Sequence, residues 1–190
     1  VEEFMEGPIH SVDAFVDANG KPHVLEQVVD YQTGYDIGYN DNFHYSRILP
    51  SKLSSTEQNN IRETAALGCR ALGMRSSPAH IEIILTINGP MIVEIGARNG
   101  GYRERMHLLA NGIDISNNAI ALALNKPLDL TATKDDSCAV LELFPKTNGL
   151  LKSIANIEDV KKLSSFVYFA QKKETGSYVG KSSDGHKMCG

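Results

Sequence analysis

Two glutamates, Glu82 and Glu94, stand in a stretch that reads as a β-hairpin, with apolar runs at 79–86 and 91–95 around Asn88-Gly89. Side chains alternate along a strand, so pairing parity decides whether the two acids share a face. A two-residue turn at Asn88-Gly89 sets Glu82 against Ile95 and Glu94 against Ile83, on opposite sides. A three-residue loop, 87–89, pairs Glu82 with Glu94 instead. Residue chemistry favours the second register. It gathers His80, Glu82, Ile84, Glu94, Gly96 and Arg98 on one face and leaves Ile81, Ile83, Leu85, Val93 and Ile95 on the other. Two carboxylates directly opposed repel unless a cation lies between them. Hard oxygen donors with room for waters and phosphates suit Mg²⁺. Arg98-Asn99-Gly100-Gly101 follows at once, a forked cation beside small residues and hence a candidate anion contact. The plainer alternative is a sheet face whose acids pair with Arg98, Arg103 or Arg105. His80-Ile81-Glu82 also carries transition-metal donors, but no further His or Cys stands at ligand spacing.

The elements that must position these groups are legible around them. Residues 9–17 and 23–30 read as strands joined at Asn19-Gly20. Residues 31–45, rich in Gly, Asn, Asp and Tyr, read as a long surface loop that either covers a substrate or simply connects. Ser54 and Glu57 form a capping-box pair ahead of a helix to about Leu72, burying Ile61, Ala65, Gly68 and Leu72, with Cys69 among them. A helix follows Gly100-Gly101 to Ala110, and Asp114 caps another. After a polar linker near residue 134, segments 138–144, 150–154 and 166–171 read as strands, with a short helix at 157–163. His23, His44, His107 and His186 share no ligand spacing and read as surface or satisfied core residues.

The chain has 190 residues, 42% hydrophobic and 22% charged, which gives one globular domain or one and a half. Nineteen basic residues against twenty-three acidic ones leave a net charge of -4, and the basic residues are scattered, which disfavours a nucleic-acid partner. No run of ~18 apolar residues argues for a membrane span, and the first residues lack signal-peptide character. Three cysteines are too few for a disulfide scaffold. The expectation is a cytoplasmic protein with no membrane partner. Val1 and Gly190 read as cut ends of a longer chain.

The ordered set Val1-Glu2-Glu3-Phe4-Met5-Glu6-Gly7-Pro8, Ser11-Val12-Asp13, His80-Ile81-Glu82 and Val93-Glu94-Ile95-Gly96-Ala97-Arg98 resembles the ATP-grasp superfamily. Gly112-Ile113-Asp114-Ile115 and Ala121-Leu122-Ala123-Leu124 extend the similarity to about residue 130. The resemblance implies an α+β fold: the second lobe of an ATP-grasp domain in residues 1–133, an antiparallel sheet with helices on one side, then a partial small domain in 134–190. It implies that Glu2, Glu3 and Met5 read adenine, that Ile84 packs on its face, and that Glu82 and Glu94 hold Mg²⁺ (or Mn²⁺) against the phosphates of ATP. Arg98 would bind the transferred phosphoryl group or the acceptor carboxylate. Many members carry an acid at the position of Ile9 for the ribose hydroxyls, so Glu6 or His10 would substitute; many carry Asn where Gly96 stands. The implied chemistry is that of an amino-acid-type carboxylate–amine ligase working through an acyl phosphate. Its partners would be small carboxylate and amine substrates, an N-terminal lobe of the same protein that supplies phosphate contacts, and a homodimer mate. Without that lobe the chain would turn over ATP weakly. A nucleotide-binding module without catalysis, or a purely structural lobe, are the alternatives.

Overall fold

A computed structural model describes residues 3–182 and 189–190; Glu2 and His186 lie outside the described residues. The chain divides into two compact units, residues 3–32 with 47–140, and residues 33–46 with 141–182 and 189–190. The division falls at 140/141 rather than near 134, because Cys138 and Val140 pack against Val29, Leu49, Met106 and Ala110 of the first unit.

The first unit is built on an antiparallel sheet. In chain order its elements are β1 (Ile9–Val16), β2 (Pro22–Val24), β3 (Val29–Thr33), β4 (His44–Leu49), α1 (Ser55–Ala71), β5 (Ser77–Thr86), β6 (Gly89–Gly96), α2 (Arg103–Ala110), α3 (Ile115–Ala123) and β7 (Cys138–Leu141). The strand order is β6-β5-β1-β3-β4-β7, with β2 also pairing β1. The expected strand at 23–30 is therefore two short ones. The expected loop at 31–45 is partly strand too, and Tyr31 on β3 is buried.

Helices flank both sheet faces rather than one. On one face α1 covers Val12, Ala14, Val16, Ile81 and Ile83 with Ile61, Ala65 and Cys69. Its start is the expected capping box, Ser54 and Glu57 satisfying each other's backbone N–H groups. Leu72, expected inside, is 65% exposed, since the helix ends at Ala71. On the other face α3 and its flanks bring Ile113, Ile115 and Leu122 onto Phe15 and Leu25, while Met106 and Ala110 of α2 reach Val29 and Leu49. Asp114 caps α3 through the Asn117 N–H. No helix among the described residues is long and apolar enough to cross a membrane.

The second unit contains β8 (Gly149–Leu150) paired with β9 (Tyr178–Val179), and the short helix α4 (Ile157–Val160). Its core joins Leu151, Val179 and Cys189 with Leu143 and Ile154. Residues 33–46 belong here because Phe43 and Tyr45 pack edge-on against Phe144, at 4.7 and 5.9 Å between ring centres. The Tyr45 hydroxyl also bonds the Ser182 Oγ at 2.6 Å. Among the described residues the segment 166–171 is not assigned to a strand despite its β-forming side chains, and Val167 and Tyr168 are both exposed.

Candidate cation and nucleotide site

The hairpin β5–β6 does set Glu82 opposite Glu94. The route differs from the expected three-residue loop. Thr86 pairs with Gly89, so the connection is the two residues Ile87-Asn88, and Gly89 takes φ +109°. Continued regularly, that register would bring Val93 opposite Glu82. Instead Ile83 pairs with Ile92 and Glu82 with Glu94, and Val93 is left over as a β-bulge. Ile92 already faces inward in that register, opposite Ile83, and the bulge brings Ile95 inward beside it on the α1-side core while turning Glu94 out. Val93, expected inside, is 41% exposed. A single extra residue thus reconciles two core isoleucines with an outward acid.

Pairing of β1 with β5 extends the polar face: Ser11 is opposite Glu82, Asp13 opposite His80, and Ile9 opposite Ile84. The β1 sequence marks this, with polar Ser11 and Asp13 alternating against Val12, Ala14 and Val16. Asp13 is 3% exposed and anchors a buried charge cluster. Its carboxylate accepts from His80 Nδ1 at 2.9 Å, from His107 Nε2 at 3.4 Å and from the Gly100 N–H at 3.3 Å, and Arg103 Nε lies 3.7 Å away. A Cβ on Gly100 would collide with the His80 ring and the Arg103 stem, so only glycine fits between them. Burial by itself would raise Asp13, but the hydrogen bonds from His107 and His80 and the nearby charges of His80 and Arg103 hold it well below the usual carboxylate range. Burial would likewise lower His80, yet its bonds to Asp13 and Glu82 keep it above its ordinary value.

From this cluster Arg103, 1% exposed, reaches across the face. Its Nη2 donates to Ser11 Oγ at 2.8 Å and to the Tyr31 hydroxyl at 2.9 Å. Tyr31 in turn donates to Glu82 Oε1 at 2.9 Å, and His80 Nε2 is 3.6 Å from the same oxygen. Glu82 is therefore held from below, with its side chain 22% exposed, whereas Glu94 is 56% exposed. Glu94 meets Arg98 Nη2 at 3.6 Å, a pair open to solvent and hence weak. The Arg98 stem lies over Gly96, and its Nη1 donates to the Asn99 carbonyl at 3.1 Å.

Glu82, Glu94, Arg98 and Ile84 are accordingly brought to one neighbourhood. The segment holding Glu3, Met5 and Glu6 leads into it, since the Leu85 N–H donates to the Pro8 carbonyl at 3.0 Å; Glu3 and Glu6 are exposed and Met5 is half-buried. His10 is not brought there. It pairs with Ile83 on the α1 side of the sheet and binds Asp30 at 2.9 Å, so strand parity turns it away from the acids. His80 is no open metal ligand either, because Asp13 and Glu82 flank both ring nitrogens. His107 is a satisfied core residue, bonded to Asp13 and Asn111.

Glu82 and Glu94 fit a divalent cation as a pair of hard carboxylates, one fixed and one free to adjust. No cluster of three or more His, Cys, Asp or Glu suited to a metal occurs among the described residues. That donor set matches Mg²⁺, which takes one or two carboxylates and completes its shell with waters and phosphate oxygens.

Known proteins share this fold. The solved L-amino acid ligase from Bacillus licheniformis superposes with a TM-score of 0.78 at 22% identity, over 92% of this chain and 45% of that one. Phosphoribosylglycinamide synthetase from Anaerococcus prevotii gives 0.76 at 18% identity, over 98% of this chain and 47% of that one. Carnosine synthase 1 of Gallus gallus is 36% identical over 80 residues, 42% of this chain and 9% of that protein. The chain thus spans less than half the length of each. The ATP-grasp domain family matches residues 1–105, more than half of the sequence, and the chain belongs to that family.

Proposed function

We propose that the face bearing Glu82 and Glu94 binds a divalent cation together with the phosphates of ATP, as part of a ligase that joins a carboxylate to an amine. The supporting observation is the Glu82–Glu94 pairing across β5 and β6, maintained by the bulge at Val93. When bound, Mg²⁺ or Mn²⁺ would neutralise phosphate charge and template the transfer. Glu82 would hold it from a fixed position and Glu94 from a mobile one. Ile84, two residues along the same face, offers an apolar surface to adenine, with Glu3 and Met5 in the adjoining segment. Arg98 offers forked donors to the transferred phosphoryl group. In the proposed reaction a carboxylate oxygen attacks the γ-phosphorus and ADP leaves. The amine then attacks the acyl carbon, phosphate leaves, and the amine's proton passes to solvent.

A nucleotide-binding role without turnover is favoured by one observation, Gly96, which presents no side chain beside Glu94. It keeps metal-dependent binding and lacks ADP release.

The reading predicts that ATP binding to the chain, followed with a fluorescent ATP analogue, weakens about tenfold or more when EDTA removes Mg²⁺, because two carboxylates then face the triphosphate without a counter-charge. Equal affinity with and without the metal would contradict it.

A further inference from the structure

The Tyr31 hydroxyl lies between Arg103 and Glu82, with His80 Nε2 a longer third contact at 3.4 Å, and the two short bonds set its hydrogen-bonding direction. Arg103 can only donate, so the hydroxyl accepts from Nη2 at 2.9 Å and spends its own proton on Glu82 Oε1, also at 2.9 Å. Arg103 cannot swing away from this task. It is buried, its Nη2 is shared with Ser11, and its stem packs beside Gly100. The Tyr31 ring is clamped as well, with the guanidinium carbons of Arg103 and Arg47 at 5.3 and 5.4 Å from its centre. A chain of rigid contacts therefore runs from the buried Asp13–Arg103 pair through one phenol to one carboxylate oxygen.

We propose that Tyr31 is a positioning residue that fixes the Glu82 carboxylate in the orientation used for cation binding. The inference rests on the cation site proposed above and adds a residue from β3 to it. Groups that orient a metal ligand typically change affinity by 10–100-fold when removed. Tyr31→Phe keeps the ring and its stacking and removes only the oxygen.

The test is formation of the ternary complex of the chain with Mn²⁺ and ATP, read from the Mn²⁺ EPR spectrum, with circular dichroism giving the folded fraction. Tyr31→Phe is expected to weaken the complex about tenfold. In a Glu82→Gln background the same change is expected to have less than about a twofold effect, because the bond it removes no longer serves a ligand. A general structural role would give equal losses in both backgrounds. If Glu82→Gln weakens the complex while Tyr31→Phe does not, or if the losses are equal, the positioning role is overturned and the cation site stands. If wild type and Glu82→Gln bind Mn²⁺ and ATP alike, the cation site itself is overturned, and this inference with it.

Discussion

Replacing Asp13 with Ala is expected to lower the unfolding free energy by about 3–5 kcal/mol, the loss that follows when one member of a buried ionic cluster is removed. Arg103, His80 and His107 all converge on this carboxylate, and Arg103 and His107 are 1% and 0% exposed. Without Asp13 the buried Arg103 guanidinium and the ring donors of His80 and His107 lose their shared acceptor. Domains of this size are stable by about 5–15 kcal/mol, so the variant would sit near its unfolding threshold. Urea denaturation at neutral pH measures the difference directly, and a loss below about 1 kcal/mol would contradict the role of the cluster. The pH dependence has a definite sign. Asp13 has a folded-state value below its ordinary 3.8, so its contribution is present above that value and is lost as pH falls through the depressed one. His80 is raised above 6.5, so its contribution is present below 6.5 and is lost as pH rises through the raised value. The gap between wild type and variant is therefore widest in the mildly acidic range between those limits.

The second large effect concerns the acids themselves. Glu82→Gln and Glu94→Gln are each expected to weaken the Mn²⁺–ATP complex by at least the ~10-fold that loss of a ligand's supporting partner produces, and the double variant by more. The two acids share one cation, so their effects need not add. The same substitutions act oppositely without metal. Two negative charges no longer repel the triphosphate, and metal-free ATP binding is expected to hold or to tighten. Glu94→Gln also releases Arg98 from its 3.6 Å pairing, leaving the guanidinium for phosphate. This opposite response separates a cation site from a merely acidic surface. An acidic surface would give tighter ATP binding in both conditions, and that outcome would remove Glu82 and Glu94 from the site.

Much of this site is legible in the sequence, at the level of local pattern. The capping box at Ser54 and Glu57, the cap at Asp114 and the facing of Glu82 and Glu94 each follow from short-range rules, and each is observed. The bulge is harder to read. Parity can be restored either in the loop or within the strand, and only the packing of Ile92 beneath α1 selects the strand. The face of His10 also depends on register, which the β1 pattern alone leaves undecided until β5 is placed beside it.

The buried cluster is the part that local pattern conceals. Asp13 comes from β1, Tyr31 from β3, His80 from β5 and Arg103 with His107 from α2, so a single window of sequence holds the Arg103–His107 pair, one helical turn apart, and none of their partners. Tyr31 opens a stretch whose Gly, Asn and Asp content resembles a loop. One signal was available: Ser11 and Asp13 are polar at strand period two within an otherwise apolar β1, which marks a polar yet covered face. The division between the two units is obscured for a related reason, since residues 33–46 join the second unit through aromatic contacts with Phe144 far along the chain.

The most direct measurement is crystallographic: anomalous scattering from Mn²⁺ in crystals of the chain grown with a non-hydrolysable ATP analogue. The account predicts a manganese peak bonded to a carboxylate oxygen of Glu82 and one of Glu94, at about 2.1–2.2 Å, with phosphate oxygens completing the shell. A bound nucleotide whose manganese touches neither glutamate would contradict it.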